Sequence, residues 1–245
     1  SAFPMKHIVL ASVLASVATP LLAQELSKPQ PVPFENTIPD PVDQPYPGTI
    51  RIDVDATDSV QGIFRVKETI PVAKAGPMTL LFPKWLPGAH SPRGEIEKLA
   101  GLVIRAGGKR IAWTRDTVDV FAFHIDVPEG AKQLDIDLQF LSATKPDQGR
   151  VVVTPNMMSV QFNSMSLYPA GYFTRQIPVA LTVKYPEGWT AVSGLPAKRS
   201  GSTYTYDRTN YEVLVDSPAV AGRYYREWAL TPKVDLNMWA ENQEE

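Results

Sequence analysis

The histidines of this chain are too few and too far apart to form a metal centre from neighbours in sequence. There are three, His7, His90 and His124, whereas common zinc peptidases carry two histidines four residues apart on one helix, with a glutamate beside the first. A catalytic zinc usually has three protein ligands. His124 stands at a polar position of its predicted strand, so we expect an exposed side chain without a role. The sequence therefore predicts no metal site and no catalytic residue in this chain.

The acidic residues offer a second kind of chemistry. Asp53 and Asp55 are spaced two apart, as are Asp135 and Asp137, and this spacing puts each pair on one face of a strand. Such pairs could serve acid–base catalysis or bind calcium. The same spacing is typical of a solvated strand face, which is the interpretation we favour. The sequence contains no G-x-S-x-G elbow, no phosphate-binding glycine loop and no C-x-x-C motif.

One loop that interrupts the strand pattern concentrates distinctive side chains. It runs from Trp85 to Arg93 and includes His90. Pro87 and Gly88 suit the two central positions of a type II turn, because proline favours the first backbone conformation and glycine tolerates the second. Trp85 either fills the edge of the core or forms, with His90 and Arg93, the rim of a surface that faces a substrate or another domain.

A second loop, residues 167–173, carries three aromatic residues, Tyr168, Tyr172 and Phe173. Large aromatic side chains on a loop indicate either a ligand platform or a contact with another domain. We expect this loop and the Trp85 loop to lie on one shared surface.

The elements that must position these loops are strands. From Thr49 onward, apolar residues alternate with polar ones at a period of two, which indicates half-buried strands. The clearest examples are Ile50–Ala56, Phe121–Val127, Leu134–Phe140 and Val179–Tyr185.

Helical signals are weak, and turn signals are frequent. Only Glu95–Ala100 and Tyr211–Asp216 look helical, each for about one turn, whereas Gly107-Gly108 predicts a two-residue hairpin. The predicted fold class is all-β: an antiparallel β-sandwich or saddle of about a dozen strands, with one or two short helical turns.

Composition excludes several classes of protein. The chain has 245 residues, 44% of them hydrophobic, and a net charge of −2. That composition is typical of a globular protein, and it lacks the basic footprint of a nucleic-acid binder. Cysteine is absent, so the fold has no disulfide framework.

The chain divides into three parts. After a vector-like start at residues 1–4, Met5-Lys6-His7 and the apolar run Ile8–Ala18 predict a signal peptide over residues 1–23. Residues 24–48 form a proline-rich linker, which acts as a tether or lies on the domain as a strap. Residues 49–245 form the β domain. We expect a periplasmic or secreted bacterial protein, with no membrane span after the signal is cleaved.

Two motifs together resemble a known family. Trp85-Leu86-Pro87-Gly88 follows a strand ending at Phe82-Pro83, and Leu214–Gly222 stands near the end of the chain. Both resemble the N-terminal domain of the glycyl aminopeptidase family, which are gluzincin-type zinc metallopeptidases. The similarity runs over residues 48–240. In the second motif, the resemblance implies a structural role for four residues: Asp216, Ser217, Pro218 and Gly222.

The resemblance implies that this domain and a catalytic domain have separate roles. Members of that family join this β domain to a thermolysin-like catalytic domain carrying H-E-x-x-H, and usually to a PDZ domain. This chain would then be a non-catalytic domain without a cofactor, and zinc would lie in the catalytic domain, which is absent here. The partners would be that catalytic domain and a peptide with a small N-terminal residue, glycine or alanine.

The same resemblance selects candidate residues for the substrate cleft or the domain interface. They are Trp85, Pro87, Gly88, His90, Arg93, Tyr168, Tyr172 and Phe173. His90 stands where the family pattern has a tyrosine, so no role of that tyrosine is carried over.

Two alternatives remain open. The chain could be a free-standing periplasmic β-sandwich that binds a peptide or a carbohydrate, or a structural module without a ligand. An H-E-x-x-H motif further along the reading frame would favour the peptidase. In isolation, we expect the chain to hold no stoichiometric zinc and to hydrolyse no aminoacyl substrate.

Overall fold

The computed structural model describes residue 33, residues 35–143 and residues 145–244. The predicted signal peptide at residues 1–23 lies outside the described residues, as does most of the proline-rich segment before residue 35. The chain divides into a first unit, residues 1–37, and a second unit, residues 38–245, and the second unit is compact. The described residues of the first unit carry no helix or strand. Every element named below belongs to the second unit.

The largest sheet has nine strands. They are β1 (Ile50–Asp58), β2 (Ile63–Pro71), β4 (Leu99–Ala106), β5 (Lys109–Ile111), β8 (Gln133–Leu141), β12 (Pro178–Lys184), β14 (Ala197–Ser200), β15 (Thr203–Tyr206) and β16 (Thr209–Asn210). Their order across the sheet is β14-β15-β12-β1-β2-β8-β4-β5, and β16 pairs with β12 beside this path.

Two smaller sheets and a hairpin complete the β structure. Their strands are β3 (Gly76–Leu81), β6 (Trp113–Arg115), β7 (Ala122–Val127), β9 (Val152–Val153), β10 (Met157–Val160), β11 (Tyr168–Pro169), β13 (Thr190–Ser193), β17 (Ala219–Gly222), β18 (Tyr224–Thr231) and β19 (Val234–Ala240). One four-stranded sheet has the order β11-β3-β7-β6 and the other the order β13-β17-β10-β9, whereas β18 and β19 pair only with each other.

Helical structure is brief. The described part of the chain has one α-helix, α1 (Tyr211–Val215), and four 3-10 turns at Ile96–Lys98, Pro146–Gln148, Phe162–Met165 and Thr174–Gln176. The all-β prediction is confirmed. The nineteen described strands exceed the dozen expected, because strands of two to four residues are too short to show alternation.

Burial follows the alternation read from the sequence. In β1, Ile50, Ile52, Val54 and Ala56 are buried, whereas the polar residues between them are exposed. Asp53 and Asp55 therefore lie on the solvated face of the large sheet, as the sequence predicts. Burying alternate residues is how one face of a sheet covers the core.

One pairing differs from the expected antiparallel sheets. β1 and β12 run parallel, with Ile50 opposite Val179 and Asp55 opposite Lys184. Parallel neighbours need a long crossover connection, and here most of the domain lies between the two strands. Alternation shows which face of a strand is buried, but it carries no information on the direction of its neighbour.

Two glycine turns form as predicted. Gly107 and Gly108 have φ of 55° and 78° and join β4 to β5, with Ala106 opposite Lys109. Positive φ at both central residues is the requirement of a type I′ hairpin turn.

Part of the predicted linker lies on the domain as a strap. Val42 donates its backbone N–H to Gly171 O at 3.1 Å, and Tyr46 donates its own to Gln176 O at 2.8 Å. The Tyr46 side chain is buried, and its hydroxyl donates to the carbonyl of Pro71. Within the residues that the structure describes, no helix has the length and hydropathy to cross a bilayer.

Candidate functional site

The Trp85 loop is held at a narrow neck. After β3, Phe82 donates its backbone N–H to Phe121 O at 2.8 Å, and Arg93 closes the loop with a 2.8 Å bond from its N–H to Lys84 O. Gly94 sits where a Cβ would lie only 2.2 Å from Pro83 O, so a larger residue there requires the backbone to move. The neck therefore sets the direction of the loop.

The tip of the loop presents its side chains to solvent. Ala89 donates its N–H to Leu86 O at 3.0 Å, and Gly88 has φ of 74°, as expected for Pro87-Gly88 at the centre of a type II turn. The Trp85 side chain is 57% exposed. Trp85 is therefore not a core residue of this domain, and the packing alternative raised by the sequence is excluded.

An ion pair stabilises the neck of the Trp85 loop. Lys84 Nζ lies 3.0 Å from Asp119 Oδ2 and 5.5 Å from the centroid of the Phe121 ring. Asp119 also accepts the backbone N–H of Phe121 through Oδ1 at 3.1 Å. These contacts tie the Trp85 loop to the turn before β7.

The two tyrosines of the second aromatic loop lie in different environments. Tyr168 begins β11, opposite Leu81 of β3, and its ring lies 4.8 Å from the ring of Tyr211. Burial, with the Asp119 carboxylate nearby, raises the pKa of Tyr168 to about 12. Tyr172 instead packs edge-on against Tyr46 of the strap, at 4.9 Å between ring centroids.

Phe173 stands apart from both tyrosines. It is 37% exposed, and the guanidinium of Arg175 lies 4.4 Å from the centre of its ring. A cation over an aromatic face is a favourable contact at a surface, so this side chain has a local partner.

A groove of about 320 Å³ brings the two loops together. Trp85 and Pro87 of the first loop and Tyr168 of the second line it, and most of the lining is apolar. The full lining is Pro83, Trp85, Leu86, Pro87, Tyr168, Thr174, Tyr211, Glu212 and Val215. We call this the Trp85 groove.

A buried polar cluster lies behind the groove. Glu68 is 1% exposed, and its Oε2 accepts the backbone N–H of Leu167 at 2.9 Å, while its Oε1 has no hydrogen-bond partner among the described residues. Burial raises the pKa of Glu68 well above its ordinary value. The neighbouring Tyr211 hydroxyl lies 2.8 Å from Ser166 Oγ, which donates to Phe162 O at 3.2 Å.

Sequence reasoning missed Glu68. The available signal was its position in β2, where it shares the inward parity of Phe64, Val66 and Ile70. A carboxyl group in that position is rarely fully buried without a partner, so its burial marks an unusual site in the core.

A second, polar cavity of about 340 Å³ adjoins the same loop. Arg93 contributes to its rim, and Asn163 lies in its wall. The full lining is Leu86, Pro92, Arg93, Gly94, Glu95, Glu97, Asp147, Gln148, Gly149, Arg150, Gln161, Asn163 and Ser164. We call this the Asn163 pocket.

The Asn163 pocket has an unpaired acceptor in its wall. Asn163 is 2% exposed, and its Oδ1 has no partner in the part of the chain that the structure describes. Its amide Nδ2 is 3.5 Å from Ser164 Oγ. A buried amide oxygen without a donor is costly, so this atom is an unsatisfied acceptor enclosed in the wall of the pocket.

The structure thus brings together some sequence candidates and not others. Trp85, Pro87 and Tyr168 line the Trp85 groove, with Gly88 in the adjoining turn, and Arg93 lines the Asn163 pocket. The remaining candidates, His90, Tyr172 and Phe173, line neither cavity.

The prediction for His124 was wrong. Its Nδ1 lies 3.0 Å from Thr79 Oγ1 and its Nε2 lies 2.8 Å from Asp116 Oδ2, so the ring links β3, β7 and the turn after β6. These contacts lower the pKa of Asp116, chiefly through the hydrogen bond from His124. This turn covers the polar face of β7 only around His124, and Asp126 on the same face stays exposed. Alternation within one strand does not show such a cover.

The residues of the second motif close a turn. Ser217 Oγ donates to Val213 O at 2.7 Å. Ser217 follows Asp216, which stands at the end of α1, and precedes Pro218. Gly222 lies in β17, where a Cβ would come within 2.8 Å of Trp239 Cδ1. These contacts are structural, and only Val215 of this region lines the Trp85 groove.

The donor set of the described residues does not fit a catalytic zinc. Over the stretches 35–143 and 145–244, no cluster of three or more histidine, cysteine, aspartate or glutamate side chains is placed to hold a metal ion. The His124 ring in β7 is hydrogen-bonded to Thr79 and Asp116, whereas His90 lies on the Trp85 loop.

The fold and the site together define an all-β domain with an exposed tryptophan beside an apolar groove. Residues 51–223 match the family model described as the Peptidase M61 N-terminal domain. The chain therefore belongs to this family, and the resemblance read from its motifs is confirmed. No curated protein sequence matches the chain.

A solved structure shares the fold, and others align less well. An aminopeptidase N family protein from Idiomarina loihiensis aligns with a TM-score of 0.62 at 18% identity, covering 77% of this chain and 32% of that one. LTA4 hydrolase from yeast, solved with bestatin, gives a TM-score of 0.46 at 12% identity, with coverages of 88% and 35%. An M1 zinc metallopeptidase from Deinococcus radiodurans, bound to a Tyr-Ser-Ala substrate, gives 0.44 at 9% identity, with 80% and 46%. The chain thus spans less than half the length of each.

Proposed function

We propose that this domain is the non-catalytic N-terminal domain of an exported zinc aminopeptidase, and that it docks on the catalytic domain through the Trp85 groove. The observation that carries the proposal is Trp85 itself, a tryptophan 57% exposed on a loop whose neck is fixed by backbone hydrogen bonds. Together with the apolar groove beside it, this tryptophan forms a contiguous apolar surface, and a domain interface uses such a side chain as an anchor.

The surroundings of Trp85 support docking. The groove beside it is lined mainly by apolar and aromatic side chains, with Glu212 as its charged member. Interfaces between domains combine an apolar centre with a polar rim. The family membership over residues 51–223 and the short coverage of the solved relatives agree with a longer polypeptide that supplies the other side.

The Asn163 pocket supports a second part of the proposal, that the domain helps to wall the peptide cleft. The pocket shares Leu86 of the loop with the groove and carries both cationic and acidic side chains. Its wall encloses the unpaired Asn163 Oδ1, which would accept an N–H from a peptide backbone once the side chains around it shift. A domain docked by the groove would then present this pocket beside the substrate.

Zinc and bond cleavage belong, in this proposal, to the catalytic domain. The expected substrate is a peptide with a small N-terminal residue, and the expected compartment is the bacterial periplasm or the exterior. In this arrangement, the described residues bind, orient and shield, and they carry no step of the reaction.

The test uses the longer polypeptide and the 245-residue chain in parallel. Trp85→Ala should lower kcat/KM of the longer polypeptide on glycyl peptides by about tenfold or more, the effect expected of truncating a buried anchor. It should leave the melting temperature of the 245-residue chain unchanged. Val60→Ala, at a side chain 97% exposed in the turn after β1, is the matched control and should change neither quantity.

Two results would contradict the proposal. One is a Trp85→Ala polypeptide as active as the Val60→Ala control. The other is a 245-residue chain that binds one zinc and cleaves glycyl substrates, with both properties lost on chelation. Binding of a free peptide or carbohydrate by the 245-residue chain, with no catalytic domain in the longer reading frame, would favour the free-standing binding module.

A further inference from the structure

The hairpin β18–β19 lies outside the region that defines the family. The family match ends at residue 223, and β18 begins at Tyr224. The two strands pair with each other and with no other described strand. A lone two-stranded hairpin is marginally stable in water, so this one needs cover from elsewhere.

One face of the hairpin is mainly apolar and exposed. Arg226 shares this face, and Trp228 and Met238 line an open cavity of about 540 Å³ together with Asn242, Gln243 and Glu244. The register places Trp228 opposite Leu236 and Arg226 opposite Met238, so Trp228, Leu236 and Met238 share a face. They are 42%, 42% and 46% exposed. Two more apolar side chains, Leu230 and Val234, are 60% and 51% exposed near the turn. Val234 has the parity of Leu236 and Met238, whereas Leu230 lies at the register shift between Ala229 and Thr231. We call these five residues together the hairpin apolar face.

This concentration is unlike the rest of the surface. Of the thirteen large hydrophobic residues that are exposed in the described residues, these five fall in one hairpin. Single exposed apolar side chains are normal, whereas a contiguous group of them marks a contact site.

The base of the hairpin is anchored to the domain. Trp239 Nε1 donates to Thr190 O at 3.0 Å, and Asn156 Nδ2 donates to Glu241 O at 2.7 Å. Trp239 also packs against Tyr225, at 5.3 Å between ring centroids, on the face opposite Trp228. The hairpin is therefore held at its base with its apolar face turned away from these anchors.

We propose that the hairpin is the first element of the next domain, and that this following domain of the same polypeptide covers the hairpin apolar face. The inference rests on the proposed function, which supplies the longer polypeptide. The solved relative from Idiomarina loihiensis is matched over 32% of its length, so related chains have ample length to provide the cover. Covalent linkage places such a partner at high effective concentration, which favours it over a second copy of the chain.

The experiment compares hydrogen exchange of the hairpin amides in the 245-residue chain and in the longer polypeptide. Cover by the next domain should slow exchange in residues 224–240 by more than about tenfold in the longer polypeptide, because local opening then requires undocking. In the 245-residue chain the same amides should exchange fast.

A matched pair of double variants identifies the face. Trp228→Ser with Leu236→Ser removes one cross-strand pair of the apolar face, and Ala229→Ser with Asp235→Ser alters the adjacent pair on the opposite face. The first should abolish the protection gained in the longer polypeptide, and the second should keep it. Both should leave the melting temperature of the 245-residue chain within about 2 °C of the wild type, since neither pair lies in its core.

Three outcomes would overturn the inference: equal exchange in the short and long chains, equal loss in both double variants, or dimerisation of the 245-residue chain that the Trp228/Leu236 variant abolishes. The last result would assign the face to a second copy. Peptidase activity is not the measured quantity here. A longer polypeptide that protects the hairpin but lacks activity would therefore refute the proposed function alone, and an active one with an unprotected hairpin would refute only this inference.

Discussion

The carboxyl group of Glu68 accepts a hydrogen bond from the backbone N–H of Leu167, 2.9 Å away and 99 positions later in the sequence. This bond joins the large sheet to the loop whose next residue, Tyr168, lines the Trp85 groove. A buried acid thereby supports one wall of the proposed docking surface.

The first prediction concerns the pH dependence of folding. Because burial raises the pKa of Glu68 above its ordinary value of 4.5, the folded protein keeps a proton that the unfolded chain releases. The stabilisation is complete below the unfolded pKa and is lost as pH rises through the folded pKa. In that window the free energy of unfolding should fall by up to about 1.4 kcal/mol per pH unit.

Glu68→Gln should remove this slope, because an amide does not titrate and its oxygen can still accept from Leu167. Urea denaturation between pH 4.5 and pH 8 measures the difference. Glu129→Gln, at an exposed turn, should keep the wild-type slope. Equal slopes in wild type and Glu68→Gln would show that Glu68 does not control the pH response.

The second prediction tests the bridge through His124. Thr79→Val removes the hydroxyl that lies 3.0 Å from His124 Nδ1 and leaves a part-buried ring nitrogen without its partner. The free energy of unfolding should fall by about 1 kcal/mol, the usual size of such a loss. Thr205→Val, at an exposed position of β15, should change it little. A Thr79→Val protein as stable as this control would mean that the bridge contributes nothing.

The third prediction concerns the neck of the Trp85 loop. Gly94→Ala would place a Cβ 2.2 Å from Pro83 O, so the backbone must shift. We expect a loss of about 1–3 kcal/mol, typical of overpacking. Gly194→Ala meets no atom within 4 Å and needs no positive φ, so it should be neutral or stabilise by about 0.5 kcal/mol through the unfolded state. Equilibrium unfolding of both variants decides, and a stable Gly94→Ala would show that the neck is not rigid.

Alternation and turn chemistry were sufficient to predict the strands that carry the core. The alternation of β1 predicted its buried face, and Pro87-Gly88 predicted the turn that presents Trp85. These signals are local, because they depend on the period of one strand or on the backbone preference of two residues.

Long-range relationships had no local signal. The parallel pairing of β1 with β12 and the contact of His124 with Thr79 depend on how distant segments meet. The carboxyl group of Glu68 sits at an inward position, but only the three-dimensional packing shows that the position is fully buried. For the same reason, Tyr172 and Phe173 were placed with Tyr168 by sequence proximity, whereas the structure separates them.

The last prediction uses Asn163 to separate stability from function. Its Oδ1 is buried without a donor in the described chain, which is unfavourable for folding. Asn163→Ala removes both this unpaired acceptor and some packing, so the free energy of unfolding of the 245-residue chain should change by less than about 1 kcal/mol. In the longer polypeptide, the same variant should lower kcat/KM on peptides by about tenfold, because the proposed hydrogen bond to the substrate, formed when the pocket wall shifts to uncover Oδ1, is lost. Unchanged kcat/KM would remove Asn163 from the substrate cleft, and a large loss of stability in the isolated chain would assign it a structural role instead.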